Sequence, residues 1–228
     1  MAEITWDSPG SHVYHEGLDR GVFYDRQTRL GVPWNGLIGV DESPASSDAG
    51  EYYIDGYKYY QSSGKENFAG TITAYTYPDE FERCLGLWDS GAVVGGLLTT
   101  HNPHEEFHLS YRTGVGSDLK DVGKDYIIHL VYNVMIGTES RDYGTRTDSP
   151  DPMNFSFPFT TRPTATPEQG TFGNHTAHFM IDTRRTHRLT LIAIEEMLYG
   201  TMFTEPKLPT PTELLAIFNE TPPWSCCD

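Results

Sequence analysis

The chain has 228 residues, enough to bury a full core, and its 37% hydrophobic and 21% charged residues exclude a membrane-like or a disordered composition. Aspartate and glutamate outnumber lysine and arginine by 32 to 16, and a formal charge of −16 argues against a protein that grips phosphate backbones. Cys84, Cys226 and Cys227 form no disulfide framework, and neither a signal peptide nor a membrane-spanning apolar run is evident, so we expect folding in the cytoplasm.

The first third of the chain predicts an arm followed by a hairpin. Residues 1–20 are polar and rich in turn formers, which indicates an N-terminal arm, and short strands are predicted at 21–24 and 37–40. Residues 41–50 (DESPASSDAG) predict a solvated loop without an apolar anchor, and residues 51–61, with five tyrosines, predict the returning strand. Residues 41–61 are therefore interpreted as a long loop or hairpin with a mobile tip, inside a β-domain that spans 21–200.

Alternation with a period of two dominates the middle of the chain and predicts strands at 68–75, 107–112, 126–136, 153–159 and 177–181. Within 126–136, one face is predicted to carry Ile128, Leu130, Tyr132, Val134 and Ile136, with His129 and Asn133 on the other. A short helix is predicted between Pro78 and the stop at Gly86. The predicted fold class is mainly β, a sandwich or barrel with a few helices outside it.

Two helices are predicted near the C-terminus. The first covers 187–199 and ends before Gly200; the second covers 210–219, where Thr210, Pro211 and Glu213 form a capping box. Prolines on both sides isolate the second helix, so residues 201–228 predict a C-terminal arm with a short helix. Its apolar side chains have to dock, on the same domain or on a neighbouring subunit, and the sequence leaves both open; they are Leu214, Leu215, Ile217 and Phe218.

No motif in the sequence points to catalysis. The best metal candidate is the segment with His101, His104 and His108, but its spacing matches no closed site and a polar loop is the plainer interpretation. His175 and His178 are predicted to point to opposite faces of a strand. A G-x-S-x-G serine, a phosphate-binding loop and a basic-aromatic surface are all missing from the sequence. We therefore expect no catalytic, metal or cofactor-binding residues, and a protein that is not an enzyme.

Four segments, in order over most of the chain, resemble the major tail tube proteins of siphophages. They lie within 17–44 (GLDRGVFYD, GVPWNGLIGVDESP), 55–86 (DGYKYY, FAGTITAYTYPDEFERCLG), 107–150 (LSYRTGVGSD, IIHLVYNV, ESRDYGTRTDSP) and 178–218 (HFMIDTRR, LIAIEEMLYG, LPTPTELLAIF). The resemblance implies a tail-tube-type β-sandwich or barrel flanked by helices, with a long stacking hairpin and terminal arms. It also implies a structural virion protein that forms homo-hexameric rings, stacked into the conduit for DNA ejection.

Partners and sites follow from the same resemblance. The implied partners are the tape measure protein and the tail terminator or tip proteins, while genomic DNA passes through an acidic lumen without specific binding. The implied location is the host cytoplasm during assembly and then the virion tail. The ring-stacking loop is placed at Asp41, Glu42, Ser43, Pro44, Ser46 and Asp48. The docking arm is placed at Leu214, Leu215, Ile217 and Phe218.

Three alternatives compete with this interpretation. Another virion β-protein, such as a tail terminator or a capsid decoration protein, would share the fold class. The tryptophans Trp6, Trp34, Trp88 and Trp224, together with the tyrosines, would suit a carbohydrate-binding β-sandwich. A metal-dependent hydrolase would use the histidines between 101 and 108.

Overall fold

The computed structural model describes residues 6–8, 10, 12–46, 51–61, 66–89, 91, 96–118, 120–138, 144–145, 152–165 and 175–220. The first strands are β1 (Val13–Asp25), β2 (Gly31–Pro33), β3 (Leu37–Glu42), β4 (Ala45–Ser46), β5 (Glu51–Ile54), β6 (Tyr57–Gln61), β7 (Glu66–Asn67) and β8 (Ala69–Ala74). A 3-10 helix (Asp79–Leu85) precedes β9 (Trp88–Asp89), β10 (Leu98–Thr99), β11 (Phe107–Ser117), β12 (Lys120–Ile136) and β13 (Phe155–Thr161). The last elements are β14 (Thr164–Ala165), β15 (His175–Thr176), β16 (His178–Asp182), α1 (Arg188–Tyr199) and α2 (Pro211–Glu220).

One large antiparallel sheet organises the chain, in the order β2-β1-β11-β12-β13-β8-β3, and β16 also pairs with β12. The prediction of a mainly β fold is therefore confirmed. The sheet curves, since β3 at one end of this order comes close to β1 near the other end, and a Cβ added to Gly21 of β1 would meet Leu37 of β3. No helix in the described part of the chain is long and apolar enough to span a bilayer.

Two apolar clusters lie on opposite faces of this sheet. The aromatic cluster is enclosed by the sheet and by the 3-10 helix; it includes Phe23, Trp34, Phe81, Phe107, Val131, Val134, Ile136 and Phe157. The helix-side cluster lies between the sheet and the two helices; it includes Tyr24, Ile128, Leu130, Tyr132, Ile181, Ile194, Leu198, Leu208 and Leu214. Both faces of the central strands are thus covered, which explains why His108 and Ser110 on β11 are as buried as Phe107 and Leu109.

The central strand β12 contributes to both clusters, which corrects the prediction of a single apolar face. Leu109 pairs with Val131 but Phe107 pairs with Val134, so β12 carries one extra residue between these pairs. Asn133 takes a left-handed φ of 49° in this bulge. Ile128, Leu130 and Tyr132 therefore face the helices, whereas Val134 and Ile136 face the aromatic cluster.

The predicted N-terminal arm is wrong for residues 13–20. They belong to β1, which starts at Val13 and pairs with the second half of β11, from Val13 opposite Ser117 to Asp19 opposite Arg112. Arg112 donates from Nε and from an Nη nitrogen to the Asp19 carboxylate, at 2.6 and 2.5 Å, which ties the two strands across this pair. The polar composition of residues 13–20 fits a section of β1 with few buried side chains.

The hairpin between β3 and β8 is longer than predicted. Asp41 and Glu42 pair with Thr71 and Gly70 inside the large sheet, and Ala45–Ser46 pairs with Glu66–Asn67. The segment predicted as one returning strand is itself a hairpin, with β5 against β6. Its turn is Asp55-Gly56, both with positive φ, 52° and 81°, as a tight type I′ turn requires. The turn described in this segment is therefore at 55–56; residues 41–42 and 45–46 are paired, and residues 47–50 lie outside the described residues.

The helices form where the sequence predicts them, but the C-terminal segment is no separate arm between residues 206 and 214. Gly200 ends α1 with a φ of 73°. Lys207 then forms a bridge with Leu30, and Leu208 is fully buried. In the capping box, Glu213 N donates to Thr210 Oγ1 at 3.2 Å, and Thr210 N donates to Glu213 Oε2 at 2.6 Å. Proline interrupts the helical geometry here without releasing the chain from the core.

Candidate functional site

The two surfaces proposed from the sequence, the stacking loop and the docking arm, differ in how the fold uses them. Of the stacking-loop residues, Asp41 and Glu42 lie on β3, Ser43 N donates to Ala69 O at 2.8 Å, and Pro44 follows. Ser46 lies on β4, and Asp48 lies outside the described residues. Backbone pairing therefore holds Asp41, Glu42, Ser43 and Ser46 within the subunit.

The docking-arm helix packs on its own domain through one edge only. Leu214 is 3% exposed within the helix-side cluster, and Ile217 packs beside it. Leu215 is half-buried, whereas Phe218 is 39% exposed. Of the two docking modes left open by the sequence, the intramolecular one applies to Leu214, and Phe218 remains at the surface.

The tyrosine hairpin, defined as Glu51–Ile54 with Tyr57–Gln61, is the most exposed aromatic surface described. Its five tyrosines are between 58% and 80% exposed, and Ile54 is 53% exposed. Tyr52 and Tyr60 pair across the strands with their rings 6.0 Å apart. Glu51 accepts a 2.6 Å hydrogen bond from the Tyr53 hydroxyl and forms an ion pair with Lys58. A rigid strand pair with aromatic side chains on the surface is typical of a protein contact rather than of a solvated loop.

A second apolar protrusion follows α1. Thr201 N donates to Thr204 O at 2.9 Å, and the two hydroxyls hydrogen-bond each other at 2.8 Å, which fixes a tight turn. This turn presents Met202 and Phe203, which are 91% and 92% exposed. Apolar side chains held so far from the domain's own clusters gain burial only from another molecule.

The histidines of the predicted metal segment do not converge on one another. His101 contacts Thr100 Oγ1 at 2.8 Å, and His104 Nδ1 donates to Ile136 O at 3.2 Å. His108 lies on β11, where its Nδ1 accepts from Asn133 N at 2.9 Å. Burial, the main cause, lowers the pKa of His108 to about 4, so its ring is neutral at pH 7. The three side chains stabilise a loop and a bulge.

Sequence reasoning missed a different polar group, the histidine–glutamate cluster of Glu42, His129 and His178. His129 Nδ1 lies 3.0 Å from His178 Nε2 and 3.4 Å from Glu42 Oε1. These residues come from β3, β12 and β16, so no local motif in the sequence connects them. His175 and His178 both lie along one cavity, as do Thr176 and Ala177 between them, and the strand is interrupted at Ala177 between β15 and β16.

Of the four tryptophans, Trp34 is buried, with its ring 4.6 Å from Phe81, and gives no platform for a sugar. Trp6 and Trp88 are exposed, and Trp224 lies outside the described residues. No model of a protein family matches the chain, and no curated protein matches it either. A function therefore has to be argued from the residues and their surfaces.

Proposed function

We propose that this protein is the major tail tube subunit of a long-tailed bacteriophage, a structural protein whose copies form hexameric rings that stack into a conduit for DNA. The observation that carries the proposal is the tyrosine hairpin. In chain order it lies between the edge strand β3 and its partner β8, and it presents five tyrosines whose rings a monomer leaves exposed to water.

The surface chemistry agrees with a self-assembling wall. A second exposed apolar contact, Met202 and Phe203, lies on the turn after α1. The sheet ends in β2 on one side, where Gly31 N donates to Pro206 O, and in β3 on the other, and an edge strand such as β3 has backbone groups available for pairing with another subunit. A formal charge of −16 disfavours contact with phosphate, so a lumen built from such copies lets DNA slide. The sequence resemblance to siphophage tail tube proteins supplies the ring and its stacking.

Electron microscopy of the purified protein tests the proposal. We expect the wild-type chain to form rings or tubes at high concentration. Tyr57→Ser combined with Tyr59→Ser removes two side chains that are 80% and 76% exposed, so the monomer should keep its thermal stability while tubes disappear. Leu189→Ser is the matched control, because Leu189 is 64% exposed on α1, away from the hairpin, and tubes should persist.

A protein that stays monomeric at all concentrations would contradict the proposal. So would normal tubes from the double tyrosine variant, since the hairpin would then be dispensable for stacking. Rings that cap preformed tubes but never polymerise would point instead to a tail terminator, the nearest alternative among virion proteins.

A further inference from the structure

The histidine–glutamate cluster brings three metal-ligating side chains to one point in the fold. The candidate donor atoms of Glu42, His129 and His178 all lie within 4.8 Å of one another, and they form the group of this kind found in the described part of the chain. Two imidazole nitrogens and a carboxylate oxygen are a donor set that Zn²⁺ and its neighbours among the divalent transition metals favour.

The spacing of the donors is close to that of a bound ion. Zinc–nitrogen bonds of about 2.0–2.1 Å place two nitrogens about 3.3 Å apart in tetrahedral geometry. The His129–His178 and His129–Glu42 separations are 3.0 and 3.4 Å. All three donor atoms lie within 4.8 Å of one another, so movements of the side chains alone would bring them to coordination distances.

Neighbouring groups hold the ligands in the required orientation. His129 Nε2 lies 3.0 Å from Thr113 Oγ1, so its ring can place the proton there and leave Nδ1 free to bind an ion. The Tyr111 ring stacks on His129 with centroids 4.5 Å apart, while its hydroxyl donates to Glu42 Oε1 at 2.5 Å. A carboxylate can accept this hydrogen bond and still ligate a metal. His178 packs on Phe68 with ring centroids 4.2 Å apart.

An ion can reach the three side chains from the surface. The His129 side chain is 7% exposed, whereas Glu42 is 35% exposed and lines, with His178, a cavity of about 290 Å³. This cavity is large enough for water to reach the three donor atoms.

We propose that Glu42, His129 and His178 bind one divalent transition-metal ion, with Zn²⁺ as the natural occupant, and that this ion fastens the end of strand β3 to strands β12 and β16. In the metal-free arrangement, one facing nitrogen donates a proton to the other. Binding moves that proton to the far nitrogen of the same ring, and both facing nitrogens then coordinate the ion. The proposal does not depend on the tail tube function.

The experiment titrates metal-free, EDTA-treated wild-type chain with Zn²⁺ and, as an optical probe, with Co²⁺. We expect one ion per chain, and a melting temperature that rises by about 5–10 °C at a hundredfold excess of Zn²⁺ over Kd, reversed by chelator. In imidazole nitrogen NMR spectra of the wild-type chain, Zn²⁺ should shift the signals of His129 and His178. That readout needs no variant and no assembly.

Two variants assign the ligands. Glu42→Gln and His178→Gln keep the size of the side chains and should each weaken Zn²⁺ binding at least tenfold, with circular dichroism checking that the fold persists. His101→Gln, in an exposed loop, is the matched control and should bind like the wild type. The absence of saturable binding at one ion per chain would overturn the proposal, as would unchanged signals of His129 and His178, or wild-type affinity in both ligand variants.

Discussion

At the scale of single residues, polar side chains that are buried against the covered faces of the sheet need hydrogen-bond or ion-pair partners. Glu106 is 8% exposed, and its Oε2 forms ion pairs with an Nη nitrogen of Arg162 at 2.7 Å and with Nε of Arg26 at 3.3 Å. The two guanidinium groups compensate its charge. The Tyr24 hydroxyl donates to Leu198 O at 2.8 Å, joining β1 to α1 inside the helix-side cluster. Glu106 and Tyr24 are thus satisfied by partners from distant parts of the chain, which makes these contacts specific to this fold.

The buried His108 should make the stability of the fold depend on pH. Its pKa is lowered to about 4 in the folded chain by burial, against about 6.5 when unfolded, so the unfolded state binds more protons between these values. The free energy of unfolding should therefore fall as the pH drops from 6.5 to 4, by about 1–3 kcal/mol from this residue. Urea unfolding in EDTA at pH 7 and pH 4.5 measures the difference.

His108→Gln should reduce the loss of stability between those two pH values, although the variant is less stable at pH 7. His101→Gln serves as the control, because His101 is exposed and should leave the pH profile unchanged. Equal pH profiles for wild type and His108→Gln would show that His108 does not carry the effect.

How far the sequence predicts single residues depends on how local their surroundings are. The Thr210 capping box and the stop at Gly86, with a φ of 69°, were predicted because each requires only its own segment. The partnership of Glu42, His129 and His178 was not predictable, because three strands bring it together. The buried state of His108 was also missed, since a period of two shows alternation but not that both sheet faces are covered.

At the scale of elements, the periodicity of apolar residues predicts where strands and helices lie. It does not predict the turns and bulges at which that periodicity changes. The Asp55-Gly56 pair, flanked by Ile54 and Tyr57, is a strong signal for a two-residue hairpin turn. The bulge at Asn133 leaves no comparable signal, because an extra residue within an apolar run only looks like a longer run.

Helix α2 allows a prediction that separates its buried from its exposed face. Leu214→Asp places a charge in the helix-side cluster, where Leu214 is 3% exposed, and should lower the free energy of unfolding by about 3–5 kcal/mol. Phe218→Asp, on the same helix but 39% exposed, should change it by about 1 kcal/mol or less. Denaturant unfolding of the two single variants measures both values.

The same pair also reports on contacts between subunits. Loss of tubes in a stable Phe218→Asp variant would assign Phe218 to a subunit interface, whereas tubes like those of the wild type would leave α2 a purely intramolecular element. A Leu214→Asp protein as stable as the wild type would contradict the packing of α2 on its own domain.

At the scale of the whole molecule, charge predicts how assembly responds to salt. Copies that each carry −16 repel one another, and this repulsion is screened over about 30 Å at 0.01 M salt but about 8 Å at 0.15 M. Tube formation at fixed protein concentration should therefore accelerate between 0.01 and 0.15 M sodium chloride, measured by light scattering. Slower assembly at the higher salt concentration would mean that ion pairs, rather than apolar contacts, dominate the interface.

Strand β12 contributes side chains to both apolar clusters, and this affects how the chain unfolds. Ile128 and Leu130 lie under the helices, and a few residues later Val134 and Ile136 lie against the phenylalanines, so one continuous backbone serves both halves. Unfolding of α1 and α2 would therefore destabilise β12, and with it the aromatic cluster, to which β12 contributes Val134 and Ile136. Heating should therefore melt the molecule as one cooperative unit, with a single calorimetric transition and the slowest amide exchange along β12.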